Sequence, residues 1–476
     1  MNKLILTGTL LMAVAATCFA QTAYQAGVAQ KSVQTLAGSS HLSLIDQREG
    51  AAHNDGNMAV TTQSGTGSHV AYIDQKEGSA SNYAQITQSD DGARGIGGNR
   101  ATISQSNNSG AGTAAVTVSG VEPAPGTRDG NYAFVRQVGH NTVDVVQDGG
   151  LFGGGNGNVT TVDQLGDSRA MITQGNGAFG NGVVVKQGLA SGGFVFWGYA
   201  TVEQMGGVTG HSEGNLARLE QEGQGSYGTI YQNNLSIGNS ALIQQGGNGH
   251  NGTITQNNDA RNNDARISQP ASTLNQRAQI TEANNSHTNV ATIDQSGLGS
   301  NTAQIDQIGQ SGNNTASIVQ GRTGVLTLTN TAKISQSNAY AVGGLGGSTA
   351  TIEQIEGTTG NTTGNTADVY QGRNAASAGI ARIEALGVSS QNVVHISQHD
   401  ADNSSKVYQV GSRQEVRITQ TGNRNTVTGT ALADFGDYAT QYGIGNSLTI
   451  NQMGGGTAGV FQYGTGNVGS ITQSAN

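Results

Sequence analysis

Cysteine is all but missing from the chain: Cys18 is the only one. A fold stapled by disulfides is therefore excluded. Proline is scarce as well, with 3 in 476 residues, as expected where backbone N–H groups are needed almost everywhere, because proline cannot donate to a strand ladder. Charged residues make up 11% and the formal net charge is −9. With no Lys/Arg run and no basic stripe interleaved with aromatics, nucleic acid is a poor partner and is not expected. Hydrophobic residues reach only 34%, little for two or three conventional globular domains, and composition alone would permit disorder. What is plentiful is glycine, with 74 residues.

The first residues read as an export signal. Lys3 precedes an apolar stretch from Leu4 to Ala16, followed by the small residues of "ATCFA"; this is too short to span a membrane and has the charged, apolar and cleavage regions of a secretory leader. Cleavage is expected after Ala20, making 1–20 the signal peptide and removing Cys18 with it. A lipidated Cys18 is the alternative, opposed by Thr17 as a poor preceding residue. No second apolar run offers an integral membrane segment.

The rest of the chain repeats itself. The pattern N-x-A-x-[IVL]-x-Q recurs roughly eleven times in strict form and about thirty times in looser form. "NTAQIDQ" (301–307) and "NTASIVQ" (314–320) are two neighbouring copies. Asn, Ala, the aliphatic and Gln fall at every second position, so each copy is a strand with two distinct faces. The face of repeated letters is the constrained one: Asn82, Ala84, Ile86 and Gln88; Asn99, Ala101, Ile103 and Gln105; Asn289, Ala291, Ile293 and Gln295; Asn301, Ala303, Ile305 and Gln307; Asn314, Ala316, Ile318 and Gln320; Asn365, Ala367, Val369 and Gln371.

Ala and Ile suit an interior, whereas Asn and Gln are costly there unless each amide is paired. Parallel stacking about 4.8 Å apart solves this, because each Gln amide can donate to the next coil's Gln and accept from the previous one. After each Gln a short glycine-containing run, such as "QVGHN" (137–141), supplies a turn. Successive Gln positions are often about 10 to 13 residues apart, stretching to about 17 where loops such as 148–158 or 342–348 are inserted, which a solenoid tolerates. The expected fold is all-β: a β-solenoid of stacked strand-turn-strand repeats from His41 to the end, after an N-terminal segment 21–40.

S/N-x-A-x3-Q followed by x-G-x-x-N resembles the curlin repeat of bacterial curli subunits, and the match covers nearly all of the chain after the signal. The resemblance implies that Asn289, Ala291, Ile293 and Gln295, with Asn314, Ala316, Ile318 and Gln320, point inward. It implies a secreted, cell-surface subunit of a Gram-negative bacterium that self-assembles into amyloid fibres of the biofilm matrix. Its partners would be other curlin-like subunits or a nucleator, and an outer-membrane curli-type secretion channel addressed by "QTAYQAGVAQKSVQ" (21–34). The many half-coils and long, irregular loops depart from known major subunits and suit an enlarged relative with a distinct task.

Chemistry finds little foothold. His41 and His69 stand where other copies have Asn and read as repeat variants, not metal ligands. Asp46, Asp74, Asp163, Asp294 and Asp306 precede the motif Gln and are expected to form an outward, solvated acidic face. "GGNGNV" (154–159) lacks the Asp of a calcium nonapeptide, and no G-x-S-x-G elbow or isolated carboxylate pair appears. No catalytic residue, metal or cofactor is expected. Glu282 and Ala385 replace the motif Gln, "TAAVTVSG" (113–120) ends in Gly120, and 429–441 does not fit the pattern. The function classes left are a fibre subunit, a monomeric secreted β-solenoid adhesin or surface-binding protein, and a β-helix enzyme on polysaccharide; the first is favoured.

Overall fold

A computed structural model describes residues 20–26, 31–38, 41–48, 57–65, 68–76, 83–89, 99–106, 132–139, 141–148, 158–175, 178–188, 195–206, 212–222, 224–270, 275–296, 299–309, 312–321, 327–328, 330–337, 348–355, 362–372, 380–386, 391–400, 402–428 and 438–474. The expected signal with Cys18, the motif residue Asn82, Gly120 and most of 429–441 lie outside them.

Each strand pairs in parallel with the next but one along the chain. Thr302–Ile308 pairs with Thr331–Ser337, while Thr315–Gln320, between them in sequence, pairs with Thr349–Ile355. The chain therefore winds between two ladders and closes one coil with every two strands, which is a β-solenoid. One ladder runs from Ala20–Ala26 to Val468–Ser474 and the other from Lys31–Gly38 to Phe461–Thr465. The ladders thus start before His41: the segment expected to stand apart is paired in register, Gln25 opposite Gln47 and Ala59 opposite Ser32.

Register is kept letter on letter. Ala303, Ile305 and Gln307 lie opposite Ala332, Ile334 and Gln336, and Ala316, Ile318 and Gln320 lie opposite Ala350, Ile352 and Gln354. A slip by one residue would turn every apolar side chain to solvent, so the alternation itself fixes the pairing. Burial alternates along the strands accordingly, as in Ser240–Gln245 and Arg277–Ala283.

The core lies between the ladders and is filled by the Ala and Ile columns. The two letters are complementary in size. Gly228 and Gly252 occupy the Ala position, and a Cβ added to Gly228 would come within 2.6 Å of the Leu219 side chain, while one added to Gly252 would lie 3.1 Å from Ile243. A small residue on one ladder thus makes room for a branched one on the other, and close packing follows from the repeat itself.

The irregular stretch 429–441 is explained by an insertion inside a strand. Ser405 pairs with Val427 and Val407 pairs with Ala439, so Thr426–Thr428 and Ala439–Ile444 share one rung although ten-odd residues separate them in sequence. Val427, Ala439 and Gln441 fill the Ala, Ile and Gln positions, all of them buried. Among the described residues no helix is long and apolar enough to cross a membrane.

Candidate functional site

The repeated polar letters form the most ordered chemical feature of the molecule. Ala84, Ile86, Gln88, Ala101, Ile103, Gln105, Ala291, Ile293, Gln295, Ala303, Ile305, Gln307, Ala316, Ile318, Gln320, Ala367, Val369 and Gln371 all lie in the buried interior, as do Asn99, Asn289, Asn301, Asn314 and Asn365. Within each ladder the Gln amides are hydrogen-bonded head to tail. Gln269 Nε2 donates to Gln295 Oε1 at 2.8 Å, Gln295 to Gln320 at 2.9 Å and Gln320 to Gln354 at 2.8 Å. The other ladder carries the same series, through Gln204, Gln232 and Gln256 at 2.7 and 2.8 Å.

The second amide proton crosses the core. Gln295 Nε2 also donates to the Arg277 carbonyl at 3.0 Å, and Gln320 Nε2 to the Thr302 carbonyl at 3.1 Å. Where the ladder is unbroken, a Gln such as Gln295 therefore receives one bond from behind, gives one forward and ties the two ladders together. Both N–H groups and the carbonyl are used, which is the condition for burying a primary amide at low cost. Every such forward bond points the same way along the chain, so the ladders have a head and a tail.

The Asn column works differently from the Gln column. Its side-chain oxygen accepts from the backbone N–H one coil further on: Asn289 N–H donates to Asn263 Oδ1, and Asn314 N–H to Asn289 Oδ1, both at 2.9 Å. Other acceptors take this place without disturbing it. His69 Nδ1 accepts from Asn99 N–H at 3.1 Å, His250 Nδ1 from Gln276 N–H at 3.2 Å, and Gln276 Oε1 from Asn301 N–H at 3.1 Å. His41 and His69 stack with ring centroids 4.9 Å apart. Burial holds the His250 imidazole down, to about 4, which keeps Nδ1 free to accept. His250 and Gln276 escaped the sequence reading; their mark is a polar residue six positions before the motif Gln or, for Gln276, before Glu282 in its place.

The ladders are interrupted where a rung lacks an amide donor. Leu36 lies in register with Gln63, Glu282 with Gln307, and Ala385 with Gln409. In each case the oxygen left over is the one that the missing amide would have served: Gln63 Oε1, Gln307 Oε1 and Gln409 Oε1 are buried without a hydrogen-bond partner. Glu282 is itself buried. Its Oε2 accepts from Gln256 Nε2 at 2.7 Å, and its Oε1 has no partner. Burial pushes this carboxyl up to about 8, with the charge of Asp264 adding to the effect.

The acidic residues are less solvated than expected, and they do not share one face: Asp46 and Asp74 pair in one ladder, to which Asp306 also belongs, whereas Asp163 and Asp294 lie in the other. Asp46 is buried, and Asp74, Asp163, Asp294 and Asp306 are half-buried against the coils above and below. Burial raises Asp294 and Asp306, although Arg266 and Lys333 partly offset it. Stacked coils shield one another's outward side chains, so "outward" on a solenoid is not the same as free in water. Among the described residues no three His, Cys, Asp or Glu side chains converge as a metal site would require. Compared with protein-family models and with curated proteins, the chain matches none.

Proposed function

We propose that the protein is a structural subunit of an extracellular, curli-like functional amyloid fibre, growing by end-to-end stacking of coils and acting without catalysis. In this reading it is exported through an outer-membrane channel to the surface of a Gram-negative bacterium. There it serves the biofilm matrix and adhesion, alongside other curlin-like subunits or a nucleator.

The observation that carries the reading is that the same contacts recur from coil to coil in one direction: Gln295 Nε2 donates to Gln320 Oε1 at 2.9 Å and Gln320 Nε2 to Gln354 Oε1 at 2.8 Å, with Ala, Ile and Gln in register across each pair of strands. Contacts that repeat unchanged along a parallel stack are those by which identical copies stack into a fibre, so the bonds used inside the chain would serve equally between copies.

The test is growth. Segment 21–476, held at micromolar concentration and seeded with sonicated material, should gain sedimentable mass and thioflavin response together. A chain that stays monomeric under seeding would instead be a soluble β-solenoid adhesin.

A further inference from the structure

In a column otherwise filled with neutral amides, Glu282 is a carboxyl at which the hydrogen-bond direction has to be restored by a proton. Its strand, Arg277–Ala283, lies between Asn251–Asn257 and Thr302–Ile308, with Gln256 and Gln307 directly in register. From behind, Gln256 Nε2 gives Oε2 the bond that any Gln there would receive. Ahead, on strands in register, Glu282 Oε1 and Gln307 Oε1 are both buried acceptors without a hydrogen-bond partner. An ionised carboxylate has no hydrogen to give. A neutral carboxyl has one, and it lies on the oxygen that needs it.

We propose that Glu282 is a proton-gated rung: protonated, it donates from Oε1 to Gln307 and closes the ladder; deprotonated, it opens the seam between Arg277–Ala283 and Thr302–Ile308. The proposal stands on the fold alone and does not depend on the fibre reading.

The surroundings hold the proton in place. The strands before and after present uncharged amides, Gln256 and Gln307. From the opposite ladder the one charge acting on the carboxyl is that of Asp264, which disfavours ionisation, as burial does. The cation of its own strand, Arg277, is exposed on the outer face, and Asp306 and Asp294 on the adjoining strands also face outward. No cation is placed to pair with a carboxylate here, among the described residues. Neighbouring rungs need no proton, because Gln supplies its own.

The direction of the pH effect follows from linkage. The folded carboxyl titrates near 8 and an unfolded one near 4.5, so between those values the folded seam holds one more proton than the open one. Stability of this seam is fully present below about 4.5, falls as pH rises and reaches its floor above about 8. Mild acid closes it and alkali loosens it.

Hydrogen exchange on the whole purified protein tests this, read at the amides of Arg277–Ala283 and Thr302–Ile308 and corrected for intrinsic rates. Relative to Glu282→Gln, which restores the amide, protection in the wild type should fall by close to tenfold per pH unit between about pH 5 and 8. Glu220→Gln, on an outward residue already bonded to Arg218, should leave that pH response unchanged. A wild-type and Glu282→Gln ratio that stays flat over this range would overturn the proposal. Infrared spectra of wild-type protein carrying carbon-13 glutamate give a second reading that needs no variant. A protonated glutamate band should persist at pH 7 and vanish above pH 8 with the fold retained; its absence at pH 7 would also overturn the proposal.

Discussion

Coils between residues 212 and 321 differ from those on either side in how their arcs are held. In the middle, successive Gln residues of one ladder lie 24, 24, 26 and 25 residues apart. The arcs there are bridged to each other in register, Glu213 to Ile237, Arg261, His287 and Gly312 in turn. Their backbone repeats too: Asn234 and Leu235, Asn258 and Asp259, and Asn284 and Asn285 all sit in the left-handed region, which Asn and Asp tolerate best. Elsewhere the spacing is 49 from Gln88 to Gln137, 42 from Gln105 to Gln147 and 22 from Gln398 to Gln420. Yet the amide bonds are equally short, 2.9, 2.8 and 2.8 Å. Register is therefore set by the inward letters, and a regular arc is an addition that the ladders do not require.

The largest expected effect distinguishing the two regions is acid sensitivity at His250. Its folded-state value, about 4, lies below the ordinary 6.5. Stability is therefore whole above about 6.5 and lost as pH falls through 4, by up to about 3 kcal/mol for a proton forced onto the buried ring. Exchange at the amides of Asn251–Asn257 should speed up accordingly between pH 6.5 and 4, and His250→Asn, which restores the commoner letter, should flatten the response. Unchanged acid sensitivity in that variant would place the effect elsewhere.

A smaller effect separates the arcs themselves. Three residues, Gly-Ser-Gly, added between Leu345 and Gly346 in a glycine-rich connection should cost no more than about 0.6 kcal/mol of loop entropy. The same insertion between Ile237 and Gly238 breaks the bridged arc and the bond from Gly238 N–H to the Glu213 carbonyl, 2.8 Å long, and should cost about 1 kcal/mol more. Urea unfolding midpoints of the two insertions measure the difference; equal costs would mean that the bridged arcs contribute nothing.

Much of this is legible in the amino-acid sequence. Period two alone separates Ile293 and Gln295 from Thr292 and Asp294, and the cost of burying an unpaired amide leads to the Gln ladder. The partner of Asn289 was not legible, because it is the backbone N–H of Asn314, a group common to every residue and brought near only by stacking. Nor could the letters show that Val427 and Ala439 share a rung, since the alternation is broken by the residues between them. Glu282 could be seen as an odd letter, but its unpaired oxygen is apparent only once Gln307 lies in register with it. The acidic residues were misjudged for a related reason: counting faces along one strand leaves out the shielding by the coils above and below, and the division of the strands between two ladders.

The central claim is that buried Gln amides hold the coils in register, and adjacent residues on opposite faces test it most directly. Gln320→Leu keeps the size but leaves Gln295 Nε2 without its forward acceptor and Gln354 Oε1 without its donor. Val319→Ser changes the neighbouring outward residue, half-buried on the opposite face. Hydrogen exchange across Val290–Gln295, Thr315–Gln320 and Thr349–Ile355 should show a loss of about 1 to 3 kcal/mol for the first substitution and within about 0.5 kcal/mol for the second. Equal losses from the two would contradict the account.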